Sequence, residues 1–145
     1  MMRTPSFSTE TTMIRAMTAA AAAVALTAPL LLSDPIAAQH ASLEGSWSGN
    51  GTVTFPSGAS ETARCRAKFQ RRGGDTFAMS AVCASPSGRV AQSAQIMRVG
   101  GNRYSGEFVN TEYGISGLIN IILRGNSLSA SLDGGGATAR FLLSR

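Results

Sequence analysis

Few side chains in this sequence are of types that do chemistry, and their spacing rules out most of it. The two cysteines, Cys65 and Cys83, are too far apart for a Cys-x-x-Cys redox pair. His40 is the single histidine, so a zinc site and a Ser-His triad both lack partners, and no Gly-x-Ser-x-Gly elbow occurs. Glu107 and Glu112 are the acids that lie near one another, but Asn110 to Gly114 reads as a turn between them, which leaves no facing carboxylates for glycoside hydrolysis. Gly134-Gly135-Gly136 lacks the lysine and the following helix of a phosphate-binding loop. The chain is therefore read as non-enzymatic, with no metal and no cofactor.

Two arrangements remain. The first is a disulfide. Counting outward from Gly74 sets Phe69 opposite Met79, Ala67 opposite Ala81 and Cys65 opposite Cys83, so a hairpin in this register brings the sulfurs together on its apolar face. The loop so closed has about 18 residues, worth roughly 3 kcal/mol in chain entropy. The second is a basic stripe. Arg64, Arg66 and Lys68 alternate with Ala63, Cys65, Ala67 and Phe69, and Arg71 and Arg72 add charge at the turn. Such a surface concentrates anionic partners, and it also guards a strand against edge pairing. Few aromatics interleave with it, so a nucleic-acid groove is not expected; an anionic envelope glycolipid or polymer, or a protein partner, fits better.

The elements that must position these residues are short and β-prone. No window carries a long apolar stripe of helical period, whereas Gly, Ser and Asn punctuate the chain every 8 to 14 residues. The pattern predicts strands over 47–55, 63–69, 77–83, 90–99, 104–109, 115–123, 128–132 and 137–143. Eight short strands joined by tight turns satisfy their edges by closing into an up-and-down antiparallel barrel; a two-sheet β-sandwich is the alternative. Trp47, set in Gly45-Ser46-Trp47-Ser48-Gly49-Asn50-Gly51, suits a sharply bent first strand whose indole plugs one barrel end, with ligand stacking as its other use.

Residues 13–38 combine a basic start, an alanine-rich apolar run through Leu30-Leu31-Leu32 and the small exit residues Ala37-Ala38. That is the pattern of a secretory signal peptide, with cleavage expected after Ala38 and Met13 as an alternative start. Pro29 and Asp34 break the run before it reaches the ~20 residues that cross a bilayer, so no stable span is expected after cleavage. Cleavage would leave one domain, residues 39–145, still near a net charge of about +5, in the periplasm or outside the cell. A domain this small is helped by a staple, and an oxidising compartment allows one.

The Gly45–Gly51 segment, the Cys65-Arg66 strand, Val82-Cys83-Ala84-Ser85, Tyr104-Ser105-Gly106-Glu107-Phe108 and Gly114-Ile115-Ser116-Gly117 together resemble a group of small exported β-rich proteins of alphaproteobacteria whose function is unknown. The likeness runs over most of residues 43–139 and implies a shared fold. More loosely, the early Trp and disulfide resemble the small eight-stranded periplasmic metalloprotease inhibitors, in which an N-terminal trunk enters the protease cleft; Gln39 to Glu44 would be that segment. Three roles follow: a binding or envelope-associated barrel, a protease inhibitor, or a carrier of a small apolar ligand. A carrier needs an enclosed pocket, expected around Phe69, Met79, Ile96, Phe108 and Leu128, with an open mouth.

Overall fold

Period-two alternation governs the whole described chain. The computed structural model describes residues 41–145; the expected signal segment, with Met13, and the first expected mature residues Gln39 and His40 lie outside them. The strands are β1 (Gly45–Thr54), β2 (Ser60–Gly73), β3 (Thr76–Ser85), β4 (Gly88–Gly100), β5 (Arg103–Asn110), β6 (Ile115–Arg124), β7 (Ser127–Gly134) and β8 (Ala137–Ser144). Each pairs antiparallel with the next, and β1 also pairs with β8 from Ser48↔Ser144 to Thr54↔Thr138. The sheet is thus a closed up-and-down barrel, and the sandwich alternative is excluded. Closure leaves no strand with a free row of backbone groups.

Closing so small a barrel needs places where the backbone can bend inward, and glycine supplies them. Gly51 lies opposite Phe141, where a Cβ would overlap both the Arg140 carbonyl and the Phe141 ring. Gly134 is crowded in the same way by the Ser116 carbonyl and the tip of Phe108. The two aromatic rings therefore occupy space that side chains at these positions would have taken.

The β2–β3 hairpin has the register read from the sequence, with Phe69↔Met79, Ala67↔Ala81 and Cys65↔Cys83 paired and a bulge at Arg72 before the turn. Cys65 and Cys83 are joined in a disulfide. Both are buried and face the barrel interior. Because the bond ties two adjacent strands, its stabilisation comes mainly from restricting the unfolded chain. Replacing both cysteines with Ala is expected to lower the unfolding free energy by about 2–4 kcal/mol in denaturant titrations. A loss below the error of the titration would mean that strain in the native hairpin cancels the entropic gain.

Outside, the strands present mostly polar side chains: Ser48, Asn50 and Thr52 on β1, Arg64, Arg66 and Lys68 on β2, Ser129 and Ser131 on β7. On β4, β5, β6 and β8 the outer face also carries exposed Met97, Val109, Leu118 and Leu142.

Candidate functional site

The interior is filled unequally along the barrel axis, and the side-chain sizes on each strand explain why. At the end formed by the start of β1 and the β2–β3, β4–β5 and β6–β7 turns, the inward residues are large: Trp47, Phe69, Phe77, Ile96, Tyr104 and Leu128 are buried there. Phe77 and Tyr104 meet edge to face with centroids 5.7 Å apart. Trp47 is 2% exposed, and its indole Nε1 donates to the Leu43 carbonyl at 2.9 Å, which draws the segment before β1 into the plug. Leu43 itself is fully buried.

Three arginines cover this closed end. The Arg145 guanidinium lies 4.4 Å from the centre of the Trp47 ring and donates to the Glu44 carbonyl. Arg71 lies 4.7 Å over Phe77 and pairs with Glu44 at 3.7 Å. Arg98 pairs with Asp75 at 3.9 Å. Arg71 and Arg145 each lay a guanidinium over an aromatic face while the charge stays in water, and Arg98 adds an exposed ion pair.

Toward the other end the inward residues shrink. Ala63, Ala137 and Ala139 leave space, and a cavity of about 360 Å³ opens between the β1–β2, β3–β4, β5–β6 and β7–β8 turns. That is at the small end of the range for small-molecule sites. Its wall is apolar, with Val53, Val90, Phe108, Ile115, Leu132 and Phe141 as the main surfaces. Phe55, Pro56 and Tyr113 stand at the mouth. Among the described residues no charged side chain lines it. Deeper in, a void of about 30 Å³ reaches the disulfide, Phe69, Met79 and Leu128.

Two amides, Gln92 and Asn110, and the hydroxyl residues Ser85, Ser87 and Thr138 break the apolar wall. Gln92 faces inward from β4, its Nε2 directed at Cys83 Sγ at 4.0 Å. Asn110 ends β5 and is 5% exposed, the only polar side chain fully inside among the described residues. Its Oδ1 accepts from the Tyr113 amide at 3.1 Å and so holds the β5–β6 turn. On the rim, Ser87 donates to Glu61 through both its amide and its hydroxyl. The Ser87 hydroxyl foremost, with Ser85 and the Ser87 amide, holds the Glu61 carboxyl below the usual carboxylate range.

The residues expected to form a pocket are mostly elsewhere. Phe108 lines the cavity; Phe69, Met79 and Leu128 reach only the small void, and Ile96 belongs to the packed end. Asn110 and Gln92 were missed. Asn110 reads as the first residue of a turn, yet it continues the inward series Tyr104, Gly106, Phe108, and Gln92 likewise continues Ile96, Ala94. That parity was the available signal.

The basic stripe also divides. Arg64, Arg66 and Lys68 point outward from β2 and Arg72 is exposed at its end. Arg71 shares the parity of Phe69 and not of Lys68, so it turns over the closed end and leaves the stripe. Arg89 replaces it, set across β3 from Arg64 in the row Arg64↔Ala84↔Arg89. Arg66, Lys68, Arg89 and Arg145 border one shallow outer groove together with Ser46, Ser48 and Ser80. As for the expected inhibitory trunk, its described part, through Leu43 and Glu44, serves the plug.

Comparison with known proteins places the architecture and goes no further. No protein-family model matches the chain, and no curated protein matches it. Among solved structures, the chain is similar to a redesigned β-barrel, mFAP1, bound to DFHBI, with a TM-score of 0.61 and 17% identity over 71% of this chain and 94% of that one. It is also similar to a fluorescence-activating β-barrel designed de novo, with a TM-score of 0.56 and 16% identity over 70% and 92% of the two chains. At that identity the likeness is one of fold.

Proposed function

We propose that this protein is a non-enzymatic carrier that holds a small, largely apolar molecule in the open half of its barrel, in the periplasm or outside the cell. One observation carries the reading: the interior is packed solid at the Trp47 end and hollow, apolar and open at the other. A barrel that served only as a scaffold gains nothing from a void, since unfilled apolar space forfeits packing energy. The mFAP1 complex adds support, because a barrel of similar fold is described there bound to a small molecule. The interior disulfide suits an oxidising compartment. The test is a fluorescence titration with the neutral apolar dye N-phenyl-1-naphthylamine. Saturable one-to-one enhancement is expected, and a linear response no greater than that of a polar control protein would refute the carrier.

A second reading concerns where such a carrier resides. Among the described residues, no carboxylate pairs with Arg64, Arg66, Lys68 or Arg89, so the outer groove keeps its positive charge. This face supports weak, multivalent association with anionic envelope glycolipid or polymer. Exposed contacts of this kind are individually small and screened by salt. Binding to vesicles containing anionic glycolipid should fall steeply from low to physiological salt and vanish in the triple reversal of Arg64, Arg66 and Lys68 to Glu. Equal binding by the folded triple variant would reduce the stripe to a protection of the sheet surface.

A further inference from the structure

The one buried polar side chain on the cavity wall has no described partner for its amide nitrogen. Asn110 is 5% exposed, and the Tyr113 N–H decides which way its amide points: a donor facing it at 3.1 Å requires the acceptor Oδ1 there. The other end is therefore Nδ2, which has no hydrogen-bond partner among the described residues. Among the described residues no side-chain nitrogen or oxygen is both sealed off and unpaired, so Nδ2 keeps some accessible surface on a residue that lines the cavity. Gln92, the other amide of the lining, is turned toward Cys83 Sγ. Among the lining residues Nδ2 is thus the buried donor that no described group holds, whereas the hydroxyls of Ser85 and Ser87 are turned to Glu61 at the rim. Water can serve it while the cavity is empty. A ligand that expels the water must either accept from Nδ2 or strand a buried donor, at a cost of about 1–3 kcal/mol.

The charge on the cargo is constrained by the same wall. Among the described residues no Asp, Glu, Lys or Arg lines the cavity, so an ion carried inside would lose its hydration without gaining a counter-ion from them. At the rim the Glu61 carboxylate is held on Ser87, one of the mouth residues, which places negative charge beside the entrance.

Resting on the carrier reading, we infer that the cargo is an uncharged, mainly apolar molecule bearing one carbonyl-type oxygen, and that this oxygen accepts from Asn110 Nδ2. Asn110 is then the specificity-determining residue. Val53, Val90, Phe108 and Ile115 supply the area that drives binding, and the amide selects among apolar molecules of equal size. Sites built around a donor reject the analogue that lacks its partner, because the donor is then left unpaired.

The experiment uses three probes of one skeleton: fluorene, 9-fluorenone and fluorene-9-carboxylate. Affinities for the intact protein are measured by calorimetry and corrected for each neutral probe's partition between water and octanol. The ketone is expected to bind about ten-fold or more tightly than the hydrocarbon, and the carboxylate more weakly than either. In Asn110→Asp, which keeps an acceptor for Tyr113 N–H and removes the donor, the preference for the ketone should disappear. Because that variant brings a charge inward and can fail to fold, a second readout uses the parent protein alone. The Asn110 side-chain NH₂ resonances should move when fluorenone saturates the site and stay near their free positions with fluorene. Equal corrected affinities for ketone and hydrocarbon, or unmoved Asn110 resonances with fluorenone bound, would overturn the inference and leave the carrier reading standing. Failure of both neutral probes and of N-phenyl-1-naphthylamine to bind would remove the carrier reading, and the inference with it.

Discussion

Replacing Trp47 with Ala should cost about 3–5 kcal/mol of stability, measured by equilibrium unfolding in urea and followed by circular dichroism because the chain has a single tryptophan. Three separate losses add to that figure. The indole is 2% exposed, so its removal leaves a void at the packed end beside large, tightly placed neighbours. The Leu43 carbonyl loses its donor, and Arg145 loses the ring beneath its guanidinium. Trp47→Phe separates these contributions: it keeps much of the volume and should cost less than half as much. Neither variant that remains folded should change dye affinity by more than about two-fold, since the cavity opens at the opposite end of the barrel. A loss of under about 1 kcal/mol in Trp47→Ala would show that the plug does not hold the closed end together.

The second large effect is expected on binding and not on stability. Ala139 faces inward from β8, is half-buried and lines the cavity. In Ala139→Phe the added ring should take up a large share of the 360 Å³ and lower N-phenyl-1-naphthylamine affinity at least ten-fold. The new ring replaces unfilled space, so thermal stability should hold or rise, whereas overpacking a filled core would lower it. Undiminished dye binding in a folded Ala139→Phe protein would place the dye somewhere other than the cavity.

The fold was largely legible, and the reason is local. Alternation in Ala63, Cys65, Ala67, Phe69 against Arg64, Arg66, Lys68 leaves one register for the β2–β3 hairpin, and the register brings the cysteines together. Closure was less so, because a barrel and a sandwich share the same strand pattern; the bends that decide between them sit at glycines such as Gly51 and Gly134, whose effect depends on Phe141 and Phe108 arriving from other strands. Which half of the barrel stays hollow was not legible at all. That depends on how small residues such as Ala63, Ala137 and Ala139, from β2 and β8, fall toward one end of the axis, a property of eight registers taken together. For the same reason Phe69, Met79 and Leu128 look like pocket residues in sequence, although the open cavity lies beyond them.

Arg71 and Asn110 teach a smaller lesson of the same kind. Both stand near turns, where composition suggests loop chemistry, and both obey the parity of the strand they end. Parity sends Arg71 over Phe77 at the closed end and Asn110 into the wall of the open one. A residue at a strand end is better assigned by counting from the last secure inward side chain than by its neighbours in the turn.

The central claim, that cargo enters the open half of the barrel, is tested most directly by methyl resonance mapping of the protein saturated with N-phenyl-1-naphthylamine. Large shifts are expected at Val53, Val90, Ile115 and Leu132 around the cavity, with Leu43, Leu123 and Leu143 at the packed end unmoved. Shifts confined to exposed Met97, Leu118 and Leu142 on the outer surface would contradict the account.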